Sequence, residues 1–262
     1  MPFQPVVPTG GVVGWNFLNR TMEAQRAAFT QTESYQRDED YFRANIGGIR
    51  SAEELVEDRR LLSFALDAFG LGDDIGNKYF IQKVLEDGTE DAAALSNRLS
   101  DKRYKEFSDA FGFGAGQFPR NQLSFFSDEI VAKNEDSLFE EAVGNVDGDL
   151  RIALNLRREL SEIATDDMSE TAKFYTVLGN PPLRTAFETA FRLPSAFATL
   201  DIDKQVETLQ DRVESSFGAA TISQFSDDDL TERLVQQFLV QSDIQSFEAT
   251  SSPAAIALAL LQ

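Results

Sequence analysis

The sequence predicts an all-α protein, a compact multi-helix array built from two or more duplicated helical units, with no β-sheet. Three observations predict it. Apolar residues recur at three- and four-residue spacing along most of the chain, the mark of helices that bury one face. Phenylalanine supplies 22 of 262 residues, a core-forming composition that a disordered chain does not have. Finally, one helix-ending motif recurs. It reads Phe64 to Phe69-Gly70-Leu71-Gly72, then Phe107 to Phe111-Gly112-Phe113-Gly114. A glycine just past the last aromatic can take the left-handed conformation without a Cβ penalty, and the next apolar residue folds back on the final turn. A third copy, Phe187 to Phe191-Arg192-Leu193-Pro194, is read with Pro194 where glycine stood.

In chain order, residues 1–13 are rich in Pro and Gly and read as a flexible segment. A first helical unit covers 14–115. It opens with a helix over about 14–35, whose stripe of Trp15, Leu18, Met22 and Phe29 either pairs with a partner or packs on its own core. A short helix over 38–46 stops at Gly47-Gly48. Ser51-Ala52-Glu53-Glu54 is a capping box, in which the Ser hydroxyl and the Glu carboxylate satisfy orphan N–H groups, and a helix or helix pair follows over 52–69. Helices are then predicted over 75–85, from a Thr89 cap through Leu99, and from an Asp101 cap to Phe111.

Residues 116–126 are an ordered connection, because the stretch around them carries Phe113, Phe118, Phe125 and Phe126, too apolar for a linker left in water. A second, diverged unit covers 127–262. Its helices are expected over 127–143, 149–164, 169–178, 201–217 and from Asp227 through Leu239. An apolar C-terminus, with Leu258 and Leu261, either docks on the body or serves assembly.

The totals exclude much chemistry. A net charge of −20 repels DNA, RNA and anionic lipid. No cysteine means no disulfide, thiolate nucleophile or Cys-ligated metal; no histidine removes the usual neutral-pH base and the commonest metal ligand. The N-terminus carries no basic n-region, and no apolar run reaches the ~18 residues of a membrane span. The acidic clusters Asp73-Asp74, Asp147-Gly148-Asp149, Asp166-Asp167 and Asp227-Asp228-Asp229 fail the spacing of a calcium loop and read as helix caps. The glycine pairs follow helices rather than strands, so they are no phosphate loops. Ser161, Lys173 and Tyr175 show no spacing for a Ser-Lys pair. No catalytic, cofactor or metal site is expected.

The run Tyr41-Phe42 through Asp58-Arg59-Arg60-Leu61-Leu62-Ser63-Phe64-Ala65-Leu66-Asp67-Ala68-Phe69-Gly70-Leu71, with Phe80-Ile81-Gln82-Lys83-Val84-Leu85 and Asn97 to Tyr104, resembles a bacterial domain family of unknown function. Its members are often encoded among flagellar genes. The resemblance covers residues 36–115, with 127–217 similar to a second copy. It implies a non-enzymatic protein–protein role in flagellar structure or assembly, with flagellar components or itself as partners. The location implied is cytoplasmic or, by a route without a cleavable signal, the flagellum. The alternative is a cytoplasmic chaperone or regulator holding an amphipathic helix of a flagellar subunit, and the remote one a carboxylate-using hydrolase or small-ligand binder.

Overall fold

The computed structural model describes residues 3–251. Among them lie thirteen α-helices and five short 3-10 turns, with no strand. They fall in two compact units: residues 21–142 with the first few residues form one, and 6–20 with 143 onward form the other. The division therefore falls at the end of α8 (Phe126–Gly144), not at 116–126. The cause is visible in the 112–126 stretch, which is fastened to the first unit. Asn121 Nδ2 donates to the Ile46 and Ile49 carbonyls at 2.7 and 2.8 Å, and the Phe126 ring meets Phe111 at 5.1 Å. Asn134, further along α8, donates to the Phe64 carbonyl at 2.9 Å.

The first unit takes the second half of α1 (Gly11–Thr30) and then α2 (Glu33–Asn45), α3 (Ala52–Glu57), α4 (Arg59–Ala68), α5 (Lys78–Asp87), α6 (Leu95–Arg98), α7 (Arg103–Phe111) and most of α8. One helix over 14–35 was expected, but α1 starts at Gly11 and a turn at 31–32 separates it from α2. Nor does the N-terminal segment hang free over its described part: the Phe3 ring packs on Phe29 at 5.5 Å. Residues 52–69 form two helices because Asp58, extended at ψ 97, ends α3 and caps α4, accepting N–H bonds from Arg60 and Leu61 at 3.0 Å. The capping box forms with a shifted return arm. Ser51 Oγ accepts from the Glu54 N–H, while the Glu54 carboxylate accepts from the N–H of Arg50.

Thr89 starts no helix. Ser96 and Asn97 instead donate side-chain bonds to the Gly88, Thr89 and Asp91 carbonyls, holding 88–94 as coil and leaving only the four residues of α6. The core of this unit is a chain of rings: Phe42 stacks on Phe64 at 4.5 Å, Phe69 meets Phe107 at 5.4 Å, and Phe107 meets Phe111 at 5.0 Å. Each such pair adds roughly 0.5–1.5 kcal/mol beyond its burial.

The second unit joins the first half of α1 to α9 (Gly148–Thr165), α10 (Glu170–Gly179), α11 (Pro181–Ala190), α12 (Ile202–Phe217) and α13 (Asp228–Ser251). Short polar residues start these helices, and of them the sequence names Asp147 as a cap; the cap expected at Asp166-Asp167 instead ends α9, and Ser169 starts α10. Asp147, Ser169, Asn180 and Asp201 each accept a first-turn N–H, and Pro181 opens α11 where its missing N–H costs nothing. Phe187, Phe191, Phe217 and Phe225 form the ring cluster here, with Phe217 and Phe225 at 5.1 Å.

Candidate functional site

The residues of the recurring motif are structural. Phe64, Phe69, Phe107, Phe111, Phe187 and Phe191 are all buried. Gly70 has φ +64 and ends α4 in a Schellman arrangement: the Leu71 N–H reaches the Leu66 carbonyl at 2.9 Å and the Gly70 N–H the Asp67 carbonyl at 3.1 Å. Gly112 ends α7 left-handed with one bond, to the Ser108 carbonyl. The third end repeats the first bond for bond, Leu193 to Glu188 at 2.8 Å and Arg192 to Thr189 at 3.0 Å. The residue standing where glycine stood is therefore Arg192, at φ +50, and not Pro194.

The stripe proposed for partner contact is occupied within the chain. Trp15 and Leu18 are fully buried and Phe29 nearly so, while Met22 is half-buried. In the second unit the Trp15 indole N–H donates to Glu232 at 2.8 Å, and the Arg157 guanidinium lies over its ring at 5.0 Å. Leu258 and Leu261 lie outside the described residues.

Sequence reasoning missed the contact of a nucleophile with a possible base. In the second unit Lys173 is 3% exposed; its ammonium donates to Ser223 Oγ at 2.7 Å and to the Ala164 carbonyl at 2.8 Å. The two residues are fifty apart, a separation no local motif reveals. The chemistry runs against a Ser-Lys catalyst, which needs a neutral amine and free oxyanion donors. Here the Ser223 hydroxyl donates to Glu170, and the other oxygen of that carboxylate accepts from the N–H groups of Ile222 and Ser223. Burial pushes the Glu170 carboxyl up, but these bonds and the Lys173 charge outweigh it and hold the group below the usual carboxylate range. The donors are already filled by the protein's own anion, so the triad acts as a clasp between α10 and the turn before α13.

The remaining exposed feature of note in the first unit is the loop over 112–127. Phe118 and Phe125 keep 61% and 52% of their surface in water, although every other ring of that stretch is at least half-buried. No carboxylate occurs between Asp109 and Asp128, in a chain where 44 of 262 residues are acidic. A shallow cavity of about 410 Å³ lies beside the loop, lined by residues of the α2–α3 connection and by 121–124 and 127. Among the described residues no cluster of acidic side chains is placed to hold a metal, and no helix is long and apolar enough to cross a membrane.

Among curated proteins none matches the chain. A solved structure, protein AGR_C_984 from Agrobacterium tumefaciens, is similar to it with a TM-score of 0.73 at 25% identity, over 93% of this chain and 99% of the other. One continuous family match runs over residues 68–230, from the end of α4 into α13, and on that span the chain belongs to the family described as a protein of unknown function, DUF1217.

Proposed function

We propose that this chain is a non-enzymatic protein–protein interaction protein of bacterial flagellar structure or assembly. The observation that carries the contact role is the 112–127 loop, where two half-exposed phenylalanines sit on a stretch stripped of negative charge. Aromatic side chains left in water are a cost to a monomer and a gain at an interface. The flagellar part rests on the resemblance of residues 58–71, 80–85 and 97–104 to a family whose members are often encoded among flagellar genes. A duplicated origin for the two units is supported by their matching helix ends at Gly70 and Arg192.

The test is to fractionate cells for this protein with and without the flagellar export gate. Recovery with flagella or in the medium, lost when the gate is missing, is expected of an exported component. Equal cytosolic recovery from both strains, with no flagellar subunit co-purifying, would reject the proposal. Cytosolic recovery together with a subunit would favour the chaperone reading, for which the same two phenylalanines offer a holding surface. The double substitution Phe118→Ser and Phe125→Ser is expected to abolish either association without lowering the melting temperature, since both side chains are already largely in water.

A further inference from the structure

We infer that the 112–127 loop of the first unit takes the apolar face of a basic amphipathic helix from a partner protein, with the carboxylates around the loop meeting that helix's cations. The inference rests on the contact role proposed above for the same loop and gives its partner a chemistry.

The loop is preformed. Asn121 ties its middle to the Ile46 and Ile49 carbonyls, and the Phe126 ring lies on Phe111. The left-handed Gly112 comes so near the Phe118 carbonyl that a Cβ there would stand 2.6 Å from its oxygen. Phe118 and Phe125 are thus held in water by a backbone that is already fixed, and a partner that covers them orders little further chain.

A shallow cavity of about 510 Å³ beside Phe118 indicates the sign of the partner's charge. Ala115 and Gly116 line it with almost no side chain, and the Phe118 ring, Glu90, Asp109 and Arg120 supply the rest of its chemistry. Arg120 reaches Asp109 only at 3.7 Å, with the two side chains 42% and 59% exposed, a pair weak enough for an incoming cation to replace. The stem of a lysine or arginine fits along the ring, and its charged head has two carboxylates to meet.

The cavity on the other flank carries Arg43 and Arg50, but acids surround them. Arg43 is matched by Glu39 and Asp128, and the Glu54 carboxylate accepts the Arg50 N–H. Around both cavities three arginines therefore stand against five carboxylates, those of Glu39, Glu54, Glu90, Asp109 and Asp128. The loop is a carboxylate-free aromatic centre within an acidic rim, on a chain of net charge −20. That field draws in a cationic partner and repels both an acidic one and a second copy of this chain. Among the described residues no strand offers an edge to an extended peptide, so the partner's backbone must satisfy its own hydrogen bonds, as a helix does.

The probe is a tandem repeat of Leu-Lys-Lys-Leu-Leu-Lys-Leu, titrated into the full chain by calorimetry and followed by amide NMR shifts. Two controls separate charge from apolar contact. A tandem Ser-Lys-Lys-Ser-Ser-Lys-Ser keeps the charge without the apolar face, and a tandem Leu-Glu-Glu-Leu-Leu-Glu-Leu reverses the charge. The leucine–lysine peptide is expected to bind saturably, to shift amides of 112–127 and to bind about tenfold or more tighter than either control. Phe118→Ser with Phe125→Ser is expected to remove that advantage. Glu90→Gln with Asp109→Asn is expected to weaken binding and flatten its salt dependence, and both variants should keep the parent's melting curve. No binding, equal binding by either control, or undiminished binding by the phenylalanine variant would overturn the inference. So would a dimer of the free chain in sedimentation that the phenylalanine substitutions dissolve, because a second copy would then be the occupant. The wider reading fails separately: a protein recovered with flagella that ignores the peptide keeps its contact role and loses only this partner chemistry.

Discussion

At the scale of single residues, two positions hold a conformation or a charge that the local sequence does not favour. Arg192 adopts the left-handed geometry that glycine adopts at Gly70 and Gly112, which costs an L-residue roughly 1–2 kcal/mol. Its guanidinium reaches Glu248 only at 3.8 Å, with both side chains more than half exposed, so that pair returns little. Arg192→Gly is therefore expected to raise stability by about 1 kcal/mol, partly offset by a freer unfolded chain, and thermal melting should show a rise of roughly 2–4 °C. A fall instead would mean that the side chain holds the end of α13. Lys173 is the opposite case, a charge wholly enclosed and wholly matched. Replacing it with Met leaves the Ala164 carbonyl and the Ser223 Oγ short of a donor and the Glu170 carboxylate short of a countercharge, and a loss of about 2–4 kcal/mol is expected in urea unfolding. Recognising the clasp from sequence was out of reach, because its three members come from segments fifty residues apart and none sits in a repeating pattern.

At the scale of elements, helix existence was legible and helix boundaries were less so. Asp147, Ser169 and Asp201 announce their helices because capping is a local bond, formed within three residues. The regions around 31–32 and 88–94 were misread because amphipathic spacing continues across a turn, while the bonds that hold the turn come from side chains facing backbone. One element pair carries a pH dependence. Asp67, near the C-terminal end of α4, has its carboxyl pushed up to about 6, first by burial and then by the charge of Glu141 on α8. Asp38 on α2 and Asp73 in the turn after α4 push the same way, and Ser63 offers only a long bond at 3.4 Å in return. A carboxyl whose folded pKa lies above its unfolded value favours the folded state while protonated. That contribution is full below about pH 4 and is lost as the pH rises through about 6. Asp67→Asn is thus expected to match the parent at pH 4 and to exceed it by on the order of 2 kcal/mol at pH 8, in denaturant titrations at both values. A constant difference between the two would show that Asp67 titrates normally.

At the scale of the whole molecule, composition announced an aromatic, helical and acidic protein, and the structure agrees on the helices. What composition could not reveal is that the second unit is discontinuous in sequence. Its core needs Trp15 and Leu18, which α1 delivers from more than a hundred residues upstream, and the indole N–H is fixed by Glu232 on α13. The same holds for the 410 Å³ cavity, whose walls come from 43–50 and 121–127 and share no motif that spacing could disclose. This arrangement changes how truncations are to be read. Removing the N-terminal helix takes away part of that core, so any function lost with it would follow from unfolding alone. Losing a fully buried Trp costs roughly 3–5 kcal/mol before Leu18 is considered. A fragment of residues 143–262 is therefore expected to lack a cooperative melt by circular dichroism and to regain one when a peptide of residues 6–20 is added. A fragment of 21–142, which keeps the ring core from Phe42 to Phe126 intact, is expected to melt cooperatively by itself. If 143–262 folds unaided, the Trp15 pocket is an accessory and not part of that core, and the stripe on α1 returns as a surface for partners.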